Sequence, residues 1–187
     1  MGKIILFDKD AEDKILSGAK KISKAVSVTM GPRGKNVILG KFIGSPVITK
    51  DGVSVAREVV LPDPVENLVA QLIKESAGRT VDLVGDGTTT ATVLTEELLI
   101  RGKQLISSGY SPLDYRKSVE IGLDMVTSNL SSMSKKVNSE EDLRNIASIS
   151  ANNDSSLGSV IAEAFEYSGL SGTVVAEARP GLKSFVK

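Results

Sequence analysis

The chain has 187 residues, of which 41% are hydrophobic and 25% charged, with 23 basic and 23 acidic side chains. This balance is typical of a globular protein of one or two domains, and it gives no net basic field that would favour nucleic acid. The absence of cysteine and histidine excludes disulfides, thiol or imidazole catalysis and the usual zinc ligand sets. No stretch is long and apolar enough for a membrane span or a secretion signal, so a cytoplasmic location is expected.

The apolar run at residues 4–7 predicts a short strand at the start of the chain. Asp8 or Asp10 is expected to cap the helix that follows, because an aspartate side chain accepts hydrogen bonds from the first helical amides. The apolar face of this helix consists of Ile15, Ala19, Ile22 and Val26. A glycine-rich turn at residues 31–34 is expected to end it.

Two short strands are predicted next, at residues 36–39 and 46–49, and a loop at residues 40–45 joins them as a hairpin. Asp51 and Gly52 are interpreted as the following turn, since this dipeptide is typical of turns.

Two later helices have clear start signals. Residues 63–66 offer an N-cap aspartate, a proline at the first helical position and a glutamate at the third. The apolar stripe of this helix is Val65, Leu68, Val69, Leu72 and Ile73. Residues 111–114 start another helix in the same manner, with the apolar face Val119, Leu123, Val126, Leu130 and Met133. Such faces predict helices packed side by side in a mostly helical layer.

Residues 85–90, Gly-Asp-Gly-Thr-Thr-Thr, carry the strongest chemical signal. The residues after them share one helical face, formed by Ala91, Leu94, Leu98, Gly102 and Leu105. The threonines therefore lie at a helix N-terminus, where unpaired amides and the helix dipole suit a phosphate. Asp86 would repel a phosphate unless a hard divalent cation such as Mg²⁺ bridged the two.

Two interpretations of this hexapeptide stay open. In the first, Asp86 is a magnesium ligand and the phosphate cradle is Gly87, Thr88, Thr89 and Thr90. In the second, residues 85–87 are a plain turn and Thr88 is an N-cap that needs no ligand.

Three further segments could contribute to a site. Residues 31–35 are glycine-rich but lack the spacing of a P-loop, and a plain turn is favoured there although glycine would permit close approach to a phosphate. Lys50 and Asp51 could serve a phosphate oxygen and a metal-bound water, against the simpler interpretation as an exposed turn. Ser150 and Asn152 could bind a base or a ribose, although such polar clusters usually form turns and caps.

The composition becomes polar at residues 131–140, which is the best candidate for a domain junction. The segment beyond it predicts a short helix with Leu143 and Ile146, a polar turn at residues 150–154 and a strand at residues 173–178. Between the turn and the strand lies a second helix, with the apolar residues Leu157, Val160, Ile161 and Ala164. A unit of about 50 residues is too small for a comfortable core of its own.

Four blocks of this sequence together closely resemble the group I chaperonins, the chaperonin 60 family of double-ring folding machines. They are residues 28–37, 48–58, 85–94 and 149–152, in the family's order and with near-family spacing. The resemblance implies an α+β fold that is mostly α with short β elements. It consists of an equatorial-domain-like helical layer with a β-hairpin at residues 1–134, then part of a small α/β intermediate domain at residues 135–187. The apical domain and the C-terminal half of the equatorial domain are expected to be absent from this stretch, and Lys136 or Val137 stands near the hinge where the family usually has proline.

The resemblance also implies a ligand and a set of binding residues. ATP and Mg²⁺ are the expected cofactors, with Asp86 as the metal ligand and Asp51 in a supporting catalytic role. The other expected nucleotide-binding residues are Thr29, Gly31, Pro32, Lys50, Gly87, Thr88, Thr89, Thr90, Ser150 and Asn152.

The expected function is that of a chaperonin subunit portion that binds Mg-ATP to drive the folding of other polypeptides. Its expected partners are homo-oligomeric ring subunits, unfolded clients and a co-chaperonin. The alternative is a stand-alone truncated module that binds nucleotide or docks onto full-length subunits without hydrolysis or client capture. In both cases this chain alone is expected to be inactive as an ATPase, because the family's water-activating aspartate lies in a later segment.

Overall fold

The computed structural model describes residues 3–40, 44–169, 172–177 and 186. These residues form mainly helices, with one two-stranded sheet, which confirms the predicted mostly helical fold. The elements are α1 (Asp8–Ser27), β1 (Val37–Leu39), β2 (Val47–Thr49), α2 (Gly52–Glu58), α3 (Pro64–Val84), α4 (Thr88–Ser107), α5 (Pro112–Met133), α6 (Glu140–Ser150) and α7 (Ser155–Ser168). None of the described helices is long and apolar enough to cross a membrane.

The chain divides into two compact units, Met1–Gly122 and Leu123–Lys187. The first contains α1 to α4 and the sheet, the second contains α6 and α7, and α5 runs through the division. The equatorial and intermediate domains proposed from the sequence, with their boundary between residues 134 and 135, stay a prediction.

The core of the first unit lies where α1, α2 and α3 meet, and Leu99 of α4 packs against it. Its buried residues are Ala19, Ile22, Val26, Val55, Ala56, Val69, Ala70 and Ile73. Three of the four residues in the predicted apolar face of α1 belong to this core, whereas Ile15 is exposed.

The start of α3 follows the predicted pattern. The Asp63 carboxylate accepts hydrogen bonds of 3.0 Å from the amides of Val65 and Glu66, and Pro64 is the first helical residue. The start of α1 does not, because Phe7 occupies the N-cap position without a side-chain cap. Asp8 and Asp10 lie inside the first turn instead, where they can still interact favourably with the helix dipole.

The predicted hairpin is confirmed, and two other predicted strands are wrong. β1 and β2 pair antiparallel with Val37 opposite Thr49 and Leu39 opposite Val47. Residues 4–7 have no regular secondary structure, and within the described chain no strand lies beside them to supply the hydrogen bonds that a strand requires. Residues 173–177 are likewise irregular, and Ala178 at the end of that predicted strand falls outside the described residues.

The buried faces of α3, α4 and α5 differ from the predicted apolar stripes. Leu68 and Leu72 of α3 and Leu94 of α4 are exposed, whereas α4 buries Thr88, Thr92 and Gly102. Small residues allow helices to approach closely, so α4 turns this face to its neighbours. Of the stripe predicted for α4, Gly102 is buried, whereas Leu98 and Leu105 are exposed like Leu94. α5 buries none of its described residues, contrary to the packing predicted for its apolar face.

In the second unit, α6 and α7 pack against each other through small residues. Ala147 and Ala162 are buried, and a β-carbon built onto Gly158 would lie 2.6 Å from Ser148 Cα. The connecting turn contains Asn152 in the left-handed region, with a φ of 59°. The Asp154 side chain then caps α7, so residues 150–154 form the turn and cap that the sequence favours.

Candidate functional site

Three segments of the first unit that are distant in sequence meet at Gly52. Gly52 is the first residue of α2 and is buried. A β-carbon built onto it would overlap the hydroxyl oxygen of Thr89 and would lie 3.3 Å from the hydroxyl oxygen of Thr29. The fold therefore brings together the loop after α1, the start of α2 and the start of α4.

The loop after α1 is tightly folded. The Thr29 hydroxyl donates a 2.8 Å hydrogen bond to the carbonyl of Val26, and the Lys35 amide donates one of 2.7 Å to the carbonyl of Val28. Gly31 has a φ of 74°, a conformation that side chains rarely adopt. The loop is a turn, as the sequence favours, and it leaves Gly31 and Pro32 exposed.

The connection between α3 and α4 consists of residues 85–87. Gly85 caps the end of α3 with a φ of 79°, and Gly87 is the N-cap of α4 with a φ of 96°. Because Gly87 has no side chain, α4 begins without a side-chain cap on its first amides. The interpretation of Thr88 as the N-cap is therefore wrong, since Thr88 is the first helical residue.

The three threonines of α4 differ in exposure. Thr88 is 4% exposed, Thr89 is half-buried and Thr90 is exposed. The Thr88 carbonyl accepts a 2.8 Å hydrogen bond from the Thr92 hydroxyl, but the buried Thr88 hydroxyl has no partner among the described residues. A buried hydroxyl without a hydrogen bond is destabilising and therefore uncommon. The unpaired Thr88 hydroxyl is such a group, and it lies at the first turn of α4.

Asp86 lies between the two left-handed glycines and is exposed. Its Oδ1 accepts a 2.6 Å hydrogen bond from the amide of Gly87. Within the described part of the chain, no three acidic side chains gather into a group that could hold a metal ion. A cation held by Asp86 would therefore take its remaining ligands from phosphate oxygens and water, as Mg²⁺ commonly does.

Asp51 is the N-cap of α2, which corrects the predicted turn at Asp51 and Gly52. Its carboxylate accepts hydrogen bonds from the Val53 amide at 3.2 Å, the Ser54 amide at 2.9 Å and the Ser54 hydroxyl at 2.6 Å. Partial burial opposes ionisation, but the hydrogen bonds from Ser54 and Val53 outweigh it and lower the pKa of Asp51. A carboxylate held ionised in this way is suited to orienting a water molecule and is a poor proton acceptor. Lys50 is half-buried beside it.

Ser150 and Asn152 are both exposed and belong to the second unit. Ser150 is the last residue of α6, and Asn152 lies in the turn before α7. Their predicted approach to the nucleotide stays a prediction.

The role of Gly52 was missed by sequence reasoning, which treated it as half of a turn. Its contact with Thr89 joins two segments that are distant in sequence, and it depends on the packing of α2 against α4. The one local signal in the sequence was a glycine directly after an aspartate. In the structure this glycine occupies a helical position that does not need positive φ, so its conformation does not explain why glycine is there.

A second concave surface in the first unit lies away from Gly52. It is a groove of about 570 Å³ formed by α1, α4 and the start of α5, with Ile15, Leu98 and Tyr115 among its lining residues. The charged groups at its edge pair with one another, since Lys103 Nζ lies 2.7 Å from Asp13 Oδ1 and Arg116 pairs with Glu120. An apolar groove without convergent unpaired polar groups is poorly suited to a nucleotide phosphate.

The corner around Gly52 fits a phosphate ligand accompanied by a divalent cation. It combines an uncapped helix start, the hydroxyls of Thr88 and Thr89 in the first turn of that helix and one exposed carboxylate. This donor set can bind oxygen anions, and Asp86 supplies a hard oxygen ligand for the cation.

Comparison with known proteins gives consistent matches. The TCP-1/cpn60 chaperonin family model matches residues 22–173. One similar structure is the chaperonin gp146 from the bacteriophage EL 2 (Pseudomonas aeruginosa) in the presence of ATP-BeFx. It is 31% identical with a TM-score of 0.73, and the match covers 88% of this chain and 29% of that chain. Another is a group III chaperonin in the open state, 25% identical with a TM-score of 0.69, covering 84% of this chain and 32% of that chain. The helical layer with its hairpin is thus a chaperonin equatorial-domain-like fold, and the chain spans about a third of the length of these two relatives.

Proposed function

Because the chain belongs to the TCP-1/cpn60 chaperonin family, we propose that it supplies the nucleotide-binding part of a chaperonin subunit. In this proposal residues 1–134 are the first half of the equatorial domain and residues 135–187 are the first segment of the intermediate domain. The ligand is Mg-ATP, bound at the corner around Gly52. ATP binding in the complete subunit drives the assisted folding of other polypeptides.

The observation that carries this proposal is the meeting of Thr29, Gly52 and Thr89 at the start of α4, which Asp86 precedes by two residues in the chain. Four sequence blocks suggested a common site, and three of them contribute to this corner of the fold. The phage chaperonin with a similar structure was crystallised in the presence of ATP-BeFx, which supports a nucleotide as the ligand of the family's site.

Each residue of the proposed site has a distinct task. The first amides of α4 and the hydroxyls of its threonines donate hydrogen bonds to phosphate oxygens, and Asp86 holds the magnesium ion. Magnesium, when bound, offsets the negative charge of the phosphates and polarises them. Lys50 adds positive charge, and Asp51 orients water through a carboxylate that its hydrogen bonds keep ionised. The remaining proposed nucleotide contacts are Thr29, Gly31, Pro32, Ser150 and Asn152.

We propose a group I chaperonin in particular, because the four blocks at residues 28–37, 48–58, 85–94 and 149–152 follow that group's pattern. Such a protein works in the cytoplasm as a homo-oligomeric ring with a co-chaperonin and unfolded clients. Rigid-body movement of the intermediate domain would carry the signal of nucleotide binding to the client-binding part of the complete subunit.

Substitution of Asp86 tests the proposal directly. The Asp86→Ala variant should lose at least about tenfold in affinity for ATP in the presence of Mg²⁺, which corresponds to ~1.4 kcal/mol, because the cation loses its protein ligand. Isothermal titration calorimetry of the wild-type chain and the variant measures this loss, and EDTA should remove the difference between them. Asp82→Ala is the matched control, since Asp82 is also exposed and lies in the last turn of α3.

Two results would contradict the proposal. One is a wild-type chain that does not bind Mg-ATP at all. The other is an Asp86→Ala variant that binds Mg-ATP as tightly as the Asp82→Ala control does.

A further inference from the structure

We propose that Gly52 is a positioning residue of the nucleotide site, which sets the direction of the Thr89 hydroxyl by having no side chain of its own. The inference rests on the proposed function and assigns a role to a residue that does not itself need to touch the ligand. Its basis is the close approach of the first turn of α2 to the first turn of α4.

The space that a side chain at position 52 would need is already filled. A β-carbon there would overlap Thr89 Oγ1, whereas it would lie 3.4 Å from Thr89 Cβ and 3.3 Å from Thr29 Oγ1. The distance to Thr89 Cβ is an ordinary van der Waals contact, so the conflict is chiefly with the hydroxyl of Thr89 and only marginally with that of Thr29.

The backbone does not explain why glycine occupies this position. The φ of Gly52 lies outside the left-handed region, so an L-residue could adopt its conformation. Alanine is also the better helix former, and by propensity alone it would stabilise α2. Gly78 of α3 offers a contrast, since a β-carbon built there meets nothing within 4 Å.

Neither helix can move away easily to relieve the overlap. α2 is anchored in the core by Val55 and Ala56, which are 1% and 4% exposed. α4 is anchored by Thr92, which is fully buried. The conflict therefore falls on the side chain of Thr89, which is β-branched and has few alternative rotamers.

Displacement of the Thr89 hydroxyl would weaken the site in a specific way. In the proposed function this hydroxyl donates to a phosphate oxygen, and its oxygen lies in the same corner as that of Thr29. A β-carbon at position 52 would turn this hydroxyl away from the phosphate. The consequence is a loss of nucleotide affinity without a matching loss of fold stability.

A cycle of four variants tests the inference. Gly52→Ala should weaken Mg-ATP binding about threefold by calorimetry, because the Thr89 hydroxyl no longer donates its hydrogen bond. Thr89→Ala should weaken it to the same extent, since one hydrogen bond is lost and the backbone donors remain. The Gly52→Ala/Thr89→Ala double variant should bind no worse than Thr89→Ala, because removal of the hydroxyl removes the overlap. Gly78→Ala is the matched control and should bind as the wild type does.

Two measurements without nucleotide separate positioning from damage to the fold. The NMR methyl shift of Thr89 should change in Gly52→Ala and stay unchanged in Gly78→Ala. The midpoint of thermal unfolding should differ little between these two variants.

The outcomes distinguish this inference from the proposed function. Wild-type protein that fails to bind Mg-ATP would overturn both. Wild-type binding together with equal affinities for Gly52→Ala and Gly78→Ala would overturn the inference alone. A double variant that binds clearly worse than either single variant would also overturn it, because the effect of Gly52→Ala would then not pass through the Thr89 hydroxyl.

Discussion

Glu66 is the buried charge that ties α1 to α3. Its side chain accepts a 2.9 Å hydrogen bond from the Ser17 hydroxyl and forms an ion pair with Lys21, while Lys14 Nζ lies 3.9 Å away. The hydrogen bond from Lys21 and then that from Ser17 lower the pKa of Glu66 below its usual value. The residue is 5% exposed, so its carboxylate depends on these partners for the interactions that water would otherwise supply.

The dependence of stability on pH should report this carboxylate. A folded-state pKa below the unfolded value of about 4.3 means that ionised Glu66 stabilises the fold above that pH, and that the contribution is lost as pH falls through the folded-state pKa. Glu66→Gln should therefore lower the free energy of unfolding near pH 7, and its deficit against the wild type should shrink below about pH 4. Urea unfolding at several pH values measures both effects.

Glu75→Gln is the control for this prediction. Glu75 pairs with Arg79 on the exposed surface of the same helix, and exposed pairs contribute little to stability. A deficit of Glu66→Gln that does not depend on pH would contradict the account of Glu66.

The sequence could predict Glu66 as a residue of the first turn of α3, but not its role. Its partners on α1 lie 45 and 49 positions earlier. Only the packing of the two helices brings a lysine and a serine to a glutamate that would otherwise be solvated. The same reason explains why the contact of Gly52 with Thr89 was missed, whereas the local capping pattern of Asp63 was found.

At the scale of elements, the contacts between helices run through small residues more than through leucines. A β-carbon built onto Gly18 of α1 would lie 2.7 Å from the carbonyl oxygen of Glu66 on α3. The spacing of apolar residues correctly predicted that α3 and α4 are helices. It predicted the buried face of α4 only in part, because Gly102 is buried as expected, but Thr88 and Thr92, which permit a closer approach than leucine does, are buried in place of the predicted leucines.

Gly18→Ala should destabilise the fold by about 1–3 kcal/mol, because the new methyl group would meet backbone that cannot rotate away. The sign is informative, since the same change at an open helical position would stabilise by up to ~1 kcal/mol. Chemical denaturation of Gly18→Ala and of the open-site control Gly78→Ala measures the two values. A Gly18→Ala variant as stable as the control would show that α1 and α3 do not approach as closely as described.

Prediction of the short β elements succeeded only where a partner was near in sequence. β1 and β2 are separated by seven residues, from 40 to 46, and their pairing is therefore local. Residues 4–7 and 173–177 have strand-like composition, but composition alone cannot supply the neighbouring strand that would complete their hydrogen bonds.

At the scale of the whole molecule, exposed apolar surface is extensive. The groove of α1, α4 and α5 is mostly apolar, and Leu123, Leu130 and Met133 of α5 are also exposed. The two relatives with similar structures are about three times as long as this chain. The apolar stripes predicted from the sequence therefore do not all become core within the 187 residues.

The 187-residue chain by itself should hydrolyse ATP negligibly even though it binds Mg-ATP. In the proposed function Asp51 orients water, and its lowered pKa makes it a weak proton acceptor. The resemblance to group I chaperonins assigns activation of the water to an aspartate in a later segment. A phosphate-release assay over many hours tests this expectation, with Asp86→Ala as the control for contaminating ATPases. Sustained turnover that Asp86→Ala abolishes would contradict it.

A crystal structure of the protein with Mn²⁺ and a non-hydrolysable ATP analogue would test the central claim most directly. The account predicts an anomalous peak beside the Asp86 carboxylate and phosphate oxygens at the first turn of α4, near Thr89 and Gly52. An analogue bound elsewhere, for example in the apolar groove of α1, α4 and α5, or a metal ion without contact to Asp86, would contradict it.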